Sequence, residues 1–264
     1  MIITTGDSTS SSVIEHARQL AEELNCRFID RRKQSLPQLA RRYKDDQFLV
    51  FLSDRTRYVW IGNTDLTYHP SMAFVRAKRL LEGETDTMIT ASRAEAGDHV
   101  LDCTAGLGSD SLVFAVVTGE EGKVTACESE FPLYALVREG MQRYESDMPL
   151  IDAAMRRVEM VHMPHQQLLK QLPDRSQDIV YFDPMFRNTV EASAHMDPLR
   201  HMANHEPLSK ETIAEACRVA RKTVVMKELR DSSEFERLGF SQIIRTNNSK
   251  LAYGVITIGN DNES

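Results

Sequence analysis

Between His99 and Lys227, short apolar runs alternate with stretches of helical periodicity, and this beat constrains the fold more than any other feature of the chain. The runs cover residues 99–103, 123–127, 158–162, 179–182 and 223–227. The helical stretches lie near residues 111–117, 133–144, 166–172 and 210–220. Strands with no polar face need cover on both sides, and strands joined through helices run parallel. The pattern therefore predicts five parallel strands with helices on both faces. The beat then changes. A short helix near residues 233–238 leads into "FSQIIR" and "LAYGVITI", which are separated only by "TNNSK", too short for a parallel crossover. These last two strands are expected to pair antiparallel. The expected fold class is α/β, a Rossmann-like, mostly parallel seven-stranded sheet with a terminal antiparallel hairpin.

A smaller α/β region precedes it. "MIITT" reads as a strand, and the Ser/Thr-rich turn after it offers N-caps to a helix over residues 13–24. That helix places Val13, Ile14, Ala17, Leu20, Ala21 and Leu24 on one face. "RFI" is a second strand and residues 37–43 a second helix; "FLVFLS" and "RYVWIG" read as strands meeting across Asp54-Arg55. Residues 72–81 read as a helix. The expected division is an N-terminal α/β region over residues 1–68 and a larger domain over residues 69–264, a size that suits one large domain with an appendage.

No apolar run approaches the roughly 18 residues of a membrane span, and the start has no basic segment ahead of an apolar core. The expectation is a soluble, cytoplasmic protein. Cys26, Cys103, Cys127 and Cys217 are widely spaced with no C-x-x-C pair, so no zinc ribbon or redox motif is indicated. A net charge of −7 argues against generic, high-affinity nucleic-acid binding by the whole surface. Residues 27–44 are the exception: Arg27, Arg31, Arg32, Lys33, Arg41, Arg42 and Lys44 are opposed only by Asp30. They make either two solvated helix faces or a local phosphate-binding patch.

"VLDCTAGLGSDSLVF" is the strongest single motif. A strand ends at Asp102, a small-residue turn runs through Thr104, Gly106 and Gly108, and a helix opens at Asp110. In a doubly wound sheet, nucleotide-like ligands sit at such a turn. The glycines let the backbone approach a ligand closely. The turn is not G-x-G-x-x-G, and a carboxylate at the helix start would repel a pyrophosphate. A ligand with an adenosine and a positive charge fits better, and S-adenosylmethionine is one. At the end of the second parallel strand, Glu128 stands where nucleoside-binding folds hold the ribose hydroxyls. The third strand exits through Pro164 and His165, and His165 either contacts the adenine or caps the next helix.

The fourth strand exits through "YFDPMF". Asp183 and the carbonyl of Pro184 could hold the N–H groups of an exocyclic base amine and aim its nitrogen at a methyl group. Pro184 stiffens the turn and Phe186 could stack on the base. Together "LDCTAGLGSD", "IVYFDPMF" and "TVVMKEL" resemble the RsmJ-type family of bacterial small-subunit ribosomal RNA guanine-N2 methyltransferases, over roughly residues 69–258. The resemblance implies a class I methyltransferase fold, S-adenosylmethionine as cofactor, and ribosomal RNA or the small ribosomal subunit as partner. It implies cofactor contacts at Ser109, Asp110, Glu128, Ser129, Pro164, His165 and Asp183, with Asp102 and Thr104 in the same turn. It also matches Lys227 to the family's fifth-strand lysine, near the substrate or an RNA phosphate. Ser109 and Ser129 stand where the guanine-N2 enzymes are expected to carry arginines, and the segment after Phe186 lacks the lysines expected there.

His195, His201 and His205 lie in that segment; with no H-E-x-x-H and with Pro198 and Pro207 bracketing the pair, a substrate lid fits them better than a metal site. The expected function is N-methylation of an exocyclic base amine in ribosomal RNA. The alternatives are a methyltransferase acting on a protein carboxylate or a small molecule, and a non-catalytic module binding S-adenosylmethionine or RNA.

Overall fold

The computed structural model describes residues 1–7, 9–184, 206–245 and 249–259. Phe186, His195, His201 and His205 lie outside the described residues. Among the described residues the chain clusters into two compact units, one holding Met1–His69 and Phe131–Glu145, the other Pro70–Glu130, residues 146–184 and the described residues from 206 onward.

In the first unit, β1 (Ile2–Thr5), β2 (Arg27–Ile29), β3 (Gln47–Phe51), β4 (Thr56–Trp60) and β5 (Thr64–Thr67) form a sheet in the order β2-β1-β3-β4-β5. β1 is parallel to both neighbours, and β3, β4 and β5 pair antiparallel across tight turns, with Phe51 opposite Thr56 as the Asp54-Arg55 turn requires. Ser10 caps the helix Ser11–Glu23, and Ser35 with Gln38 forms a capping box on the helix Leu36–Tyr43. Ile2, Leu39, Phe48, Val50 and Val59 make the core.

The helix Phe131–Arg143, which the sequence reading places in the region 69–264, packs within this first unit. Arg143 donates to the carbonyls of Leu52 (2.6 Å) and Arg55 (3.1 Å), and Gly140 lies against Tyr68. A Cβ at Gly140 would overlap the Tyr68 side chain. In an exposed helix Gly→Ala gains up to about 1 kcal/mol; here the overlap decides the sign. Gly140→Ala is expected to lower stability by about 1–3 kcal/mol, seen as a lower urea midpoint.

In the second unit, β6 (His99–Asp102), β7 (Lys123–Glu128), β8 (Val158–His162), β9 (Gln177–Phe182), β10 (Ala220–Leu229), β11 (Gln242–Arg245) and β12 (Leu251–Thr257) form a sheet in the order β11-β12-β10-β9-β6-β7-β8. The five strands β6–β10 are parallel, and β12 runs antiparallel to β10 and β11. This is the expected seven-stranded sheet with its terminal hairpin. Ile179, Val180, Tyr181 and Phe182 are all fully buried, as a central strand covered on both faces must be. Strand order reverses between β6 and β9, which creates a switch point at their carboxyl ends.

Among the described residues, two helices were not expected, Thr87–Ser92 and Pro149–Arg157. The second runs straight into β8 with no intervening loop, so Ile151, Ala154 and Met155 blend into the strand's own apolar pattern. No helix among the described residues is long and apolar enough to cross a membrane.

Candidate functional site

Among the described residues, those singled out in the sequence lie at the carboxyl ends of β6, β7, β8, β9 and β10. Asp102 closes β6. Its Oδ1 accepts the Thr104 N–H (3.1 Å) and its Oδ2 the Ser111 hydroxyl (2.6 Å). The Thr104 hydroxyl in turn accepts the N–H of Asp183 at 2.6 Å, tying the exits of β6 and β9 together across the switch point. Gly106 (φ +53°) and Gly108 (φ +72°) are both left-handed, a conformation that strains any residue with a side chain. Gly108 is the N-cap of the helix Ser109–Thr118, so Ser109 and Asp110 are its first two residues.

Glu128 ends β7, 8 % exposed. Its Oε2 accepts the Gly106 N–H (3.1 Å) and its Oε1 the Glu130 N–H (2.8 Å), so the carboxylate fixes the glycine turn. Each oxygen keeps a lone pair for a hydroxyl donor. Burial raises the Glu128 pKa against these two hydrogen bonds. Ser129 is half-buried beside it, its carbonyl 3.0 Å from the His162 ring. After β8, Pro164 is the N-cap of the helix His165–Gln171. His165 does not cap that helix; it is the first helical residue, with its ring edge-on to Phe182 at 5.8 Å. Burial lowers its pKa, a hydrogen bond to the Cys103 backbone opposes that, and its Nε2 has no partner among the described residues.

Asp110, expected from the sequence to face a ligand's charge, also bonds three protein groups. Asp110 is 6 % exposed. Its Oδ1 pairs with Arg76, and its Oδ2 accepts from the Tyr181 hydroxyl (2.7 Å) and Lys227 Nζ (3.1 Å). Lys227 bonds Asp183 Oδ2 at 2.7 Å, and Arg76 makes a two-pronged pair with Asp86 at 2.8 and 3.0 Å. The result is a cluster of three carboxylates and two cations. Burial would raise the Asp110 pKa, but Lys227, Arg76 and the Tyr181 hydroxyl hold it down at about 2. The excess negative charge falls on Asp183, the member nearest solvent at 27 % side-chain exposure. Burial and the repulsion of Asp110 push its pKa up to about 6 against the pull of Lys227. No described group bonds its second oxygen, which leaves Oδ1 for a ligand.

Sequence reading missed Arg76, Asp86 and Tyr181. A signal for Arg76 existed: it lies one turn from Ala73 and beside Ala77, the buried face of the helix Ser71–Leu81, where an unpaired arginine would be costly. Nothing in the sequence pointed to its partners.

Burial pushes the Asp102 pKa up to about 7, with Asp110 adding to the rise and the Ser111 hydrogen bond opposing it. The folded protein thus keeps a proton that an unfolded aspartate releases near pH 3.9. The stability tied to this proton is present below that lower value and is lost as pH rises through about 7. Asp102→Asn is expected to flatten the fall in urea midpoint between about pH 4 and pH 7.

A parallel sheet with a 3-2-1-4-5 reversal, glycines at its first turn and an acid ending its second strand define a nucleoside-binding α/β enzyme fold. The family model described as "Putative SAM-dependent methyltransferase" matches residues 66–251, and the chain belongs to this family. It is 39 % identical to the uncharacterized protein YpiP of Bacillus subtilis over 97 % of this chain and 98 % of that one. It is 29 % identical to the ribosomal RNA small subunit methyltransferase J of Chromobacterium violaceum, over 74 % of this chain and 78 % of that protein. The fold matches the crystal structure of a SAM-dependent methyltransferase from Neisseria gonorrhoeae with a TM-score of 0.61 at 20 % identity, covering 98 % of this chain and 96 % of that one. The protein is a SAM-dependent methyltransferase with a class I fold, its cofactor is S-adenosylmethionine, and the resemblance to the RsmJ type stands.

Proposed function

We propose that this chain methylates an exocyclic amine of a base in RNA, with ribosomal RNA as the substrate class. The observation that carries this is Asp183 at the exit of β9, with one carboxylate oxygen held by Lys227 and the other left for a ligand. The name of the Chromobacterium violaceum relative supports the substrate class.

The residues present fit the cofactor. Glu128 is oriented by two backbone N–H groups and would hold the ribose hydroxyls. Gly106 and Gly108 let the backbone approach, and Ser109, Ser129, Pro164 and His165 line the same end of the sheet. S-adenosylmethionine supplies a methyl group on a positively charged sulfonium. The excess negative charge of the Asp183 cluster favours a cation there. Asp183 Oδ1 and the carbonyl of Pro184 would take the two N–H groups of the amine and orient its lone pair for attack. As the N–C bond formed and the sulfur–methyl bond broke, its electron pair staying on sulfur, the amine would gain positive charge and would have to lose a proton. Asp183, with its pKa near 6, is a fitting acceptor. Lys227 fixes the carboxylate during this step. No strong base is needed, since positioning supplies much of the rate. Phe186 would stack on the base.

Glu128→Ala is expected to weaken S-adenosylmethionine binding about 10- to 100-fold by calorimetry, from the lost hydroxyl contacts and the freed glycine turn. Unchanged affinity would remove the ribose assignment. The function itself is tested on ribosomal RNA from cells lacking the enzyme. Incubation with the protein and cofactor, followed by nucleoside mass spectrometry, should yield one new N-methylated base. A new O-methylated ribose or C-methylated base instead would contradict it.

A further inference from the structure

The basic segment 27–44 resolves into two parts in the structure. The helix Leu36–Tyr43 brings its C-terminal end back to the start of the edge strand β2, so Arg27 and Tyr43 meet. The Arg27 and Arg42 guanidiniums lie 5.3 and 5.5 Å from the centre of the Tyr43 ring. Arg41 precedes Arg42 and Lys44 follows Tyr43 in the chain, and all four cations are exposed. Arg31 and Arg32, by contrast, turn to Asp7 and Asp30.

These four, like Lys33, differ from the basic groups of the first unit that are paired with carboxylates. Arg18 pairs with Glu15, Arg55 with Asp54, Arg57 with Asp65 and Arg138 with Glu23. Arg27, Arg41, Arg42 and Lys44 have no carboxylate partner among the described residues. The nearest acids in sequence are engaged elsewhere: Asp45 holds the amino terminus at 2.9 Å and Asp46 accepts the Trp60 indole N–H at 3.2 Å. Two guanidiniums on an aromatic ring, with Arg41 and Lys44 close by in the chain and without carboxylate partners, make a local basic face on a chain of net charge −7. Guanidiniums stacked on a ring still present their N–H edges outward, the geometry that takes phosphate oxygens. A membrane-lying face would need apolar groups beside the charges, and no exposed large hydrophobic of the described residues lies in this unit.

We propose that Arg27 and Arg42 on the Tyr43 ring, together with Arg41 and Lys44, bind the phosphodiester backbone of the RNA substrate. This rests on the reading of RNA as substrate. The test uses the full chain carrying Arg41→Gln, Arg42→Gln and Lys44→Gln together, with Arg18→Gln/Arg55→Gln/Arg57→Gln as a charge-matched control. Binding is measured to a small-subunit ribosomal RNA transcript across a salt series. The triple variant should bind about 10- to 100-fold more weakly near 0.1 M salt, with the salt slope smaller by about two to three. Its S-adenosylmethionine affinity and melting temperature should match the parent, and the control should bind RNA as the parent does. If the triple variant fails to fold, Arg27→Gln/Lys44→Gln serves, with a slope change of about one to two. RNA affinity and slope equal to the parent's in a folded variant overturn the proposal while leaving RNA methylation standing. Parent protein that binds anionic phosphatidylglycerol vesicles but not RNA also overturns it. Methyl transfer to protein or metabolite alone overturns the substrate reading itself.

Discussion

Asp183→Ala is expected to lower methyl-transfer turnover by about 10²–10⁴-fold at saturating cofactor. The protein should stay folded. Removing Asp183 leaves Lys227 and Arg76 facing Asp110 and Asp86, two cations against two carboxylates, so the cluster becomes balanced. Because burial raises the Asp183 pKa, its ionised form is a net cost to the fold, and the melting temperature should hold or rise. Asp183→Asn separates two contributions. It keeps an acceptor for the amine but loses the charge and the proton acceptor, so cofactor affinity and turnover both fall while acceptor binding survives. Turnover retained in Asp183→Ala would remove Asp183 from the mechanism.

Arg76→Ala is expected to act in the opposite way, on the fold first. Arg76 bonds both oxygens of Asp86 and one of Asp110. Without it, Lys227 alone faces three carboxylates in a buried setting. Removing one partner of such a pair costs about 3–5 kcal/mol, which for a unit of this size is a melting-temperature drop of roughly 6–20 °C. Asp86 also caps the helix Thr87–Ser92, accepting the Met88 N–H at 2.9 Å, so that helix should fray in the same variant. Arg76→Lys should recover little, since a single ammonium cannot reproduce the two-pronged bond to Asp86. An unchanged melting temperature would show that the cluster does not hold the sheet's carboxyl edge together.

The parallel core of the second unit was legible because its strands are buried on both faces and so carry continuous apolar runs. The hairpin β11–β12 was legible because a five-residue connection permits one geometry only. The packing of one helix was harder to read. The helix Phe131–Arg143 sits between two strands of the second sheet in sequence but packs with the first unit, through Arg143, Glu139 and Gly140. Periodicity reports that a helix has an apolar face; it does not report which face elsewhere covers it. At the site, Gly106, Gly108 and Glu128 were readable from local pattern, since a left-handed turn and a strand-end acid are local features. The protein partners of Asp110 were not. Its local setting, a carboxylate at a helix start, suggests a free charge. Its actual partners come from positions 76, 181 and 227, which only the folded sheet brings together.

The measurement that bears most directly on the account is partition of a labelled methyl group. S-adenosylmethionine carrying the label, with either the parent protein or Asp183→Ala, is incubated with RNA, protein and metabolite fractions of cells lacking the enzyme. The account predicts label in the RNA fraction, removed by ribonuclease, recovered on a base amine, and lost with Asp183→Ala. Label in the protein or metabolite fraction, undiminished by ribonuclease, would contradict it.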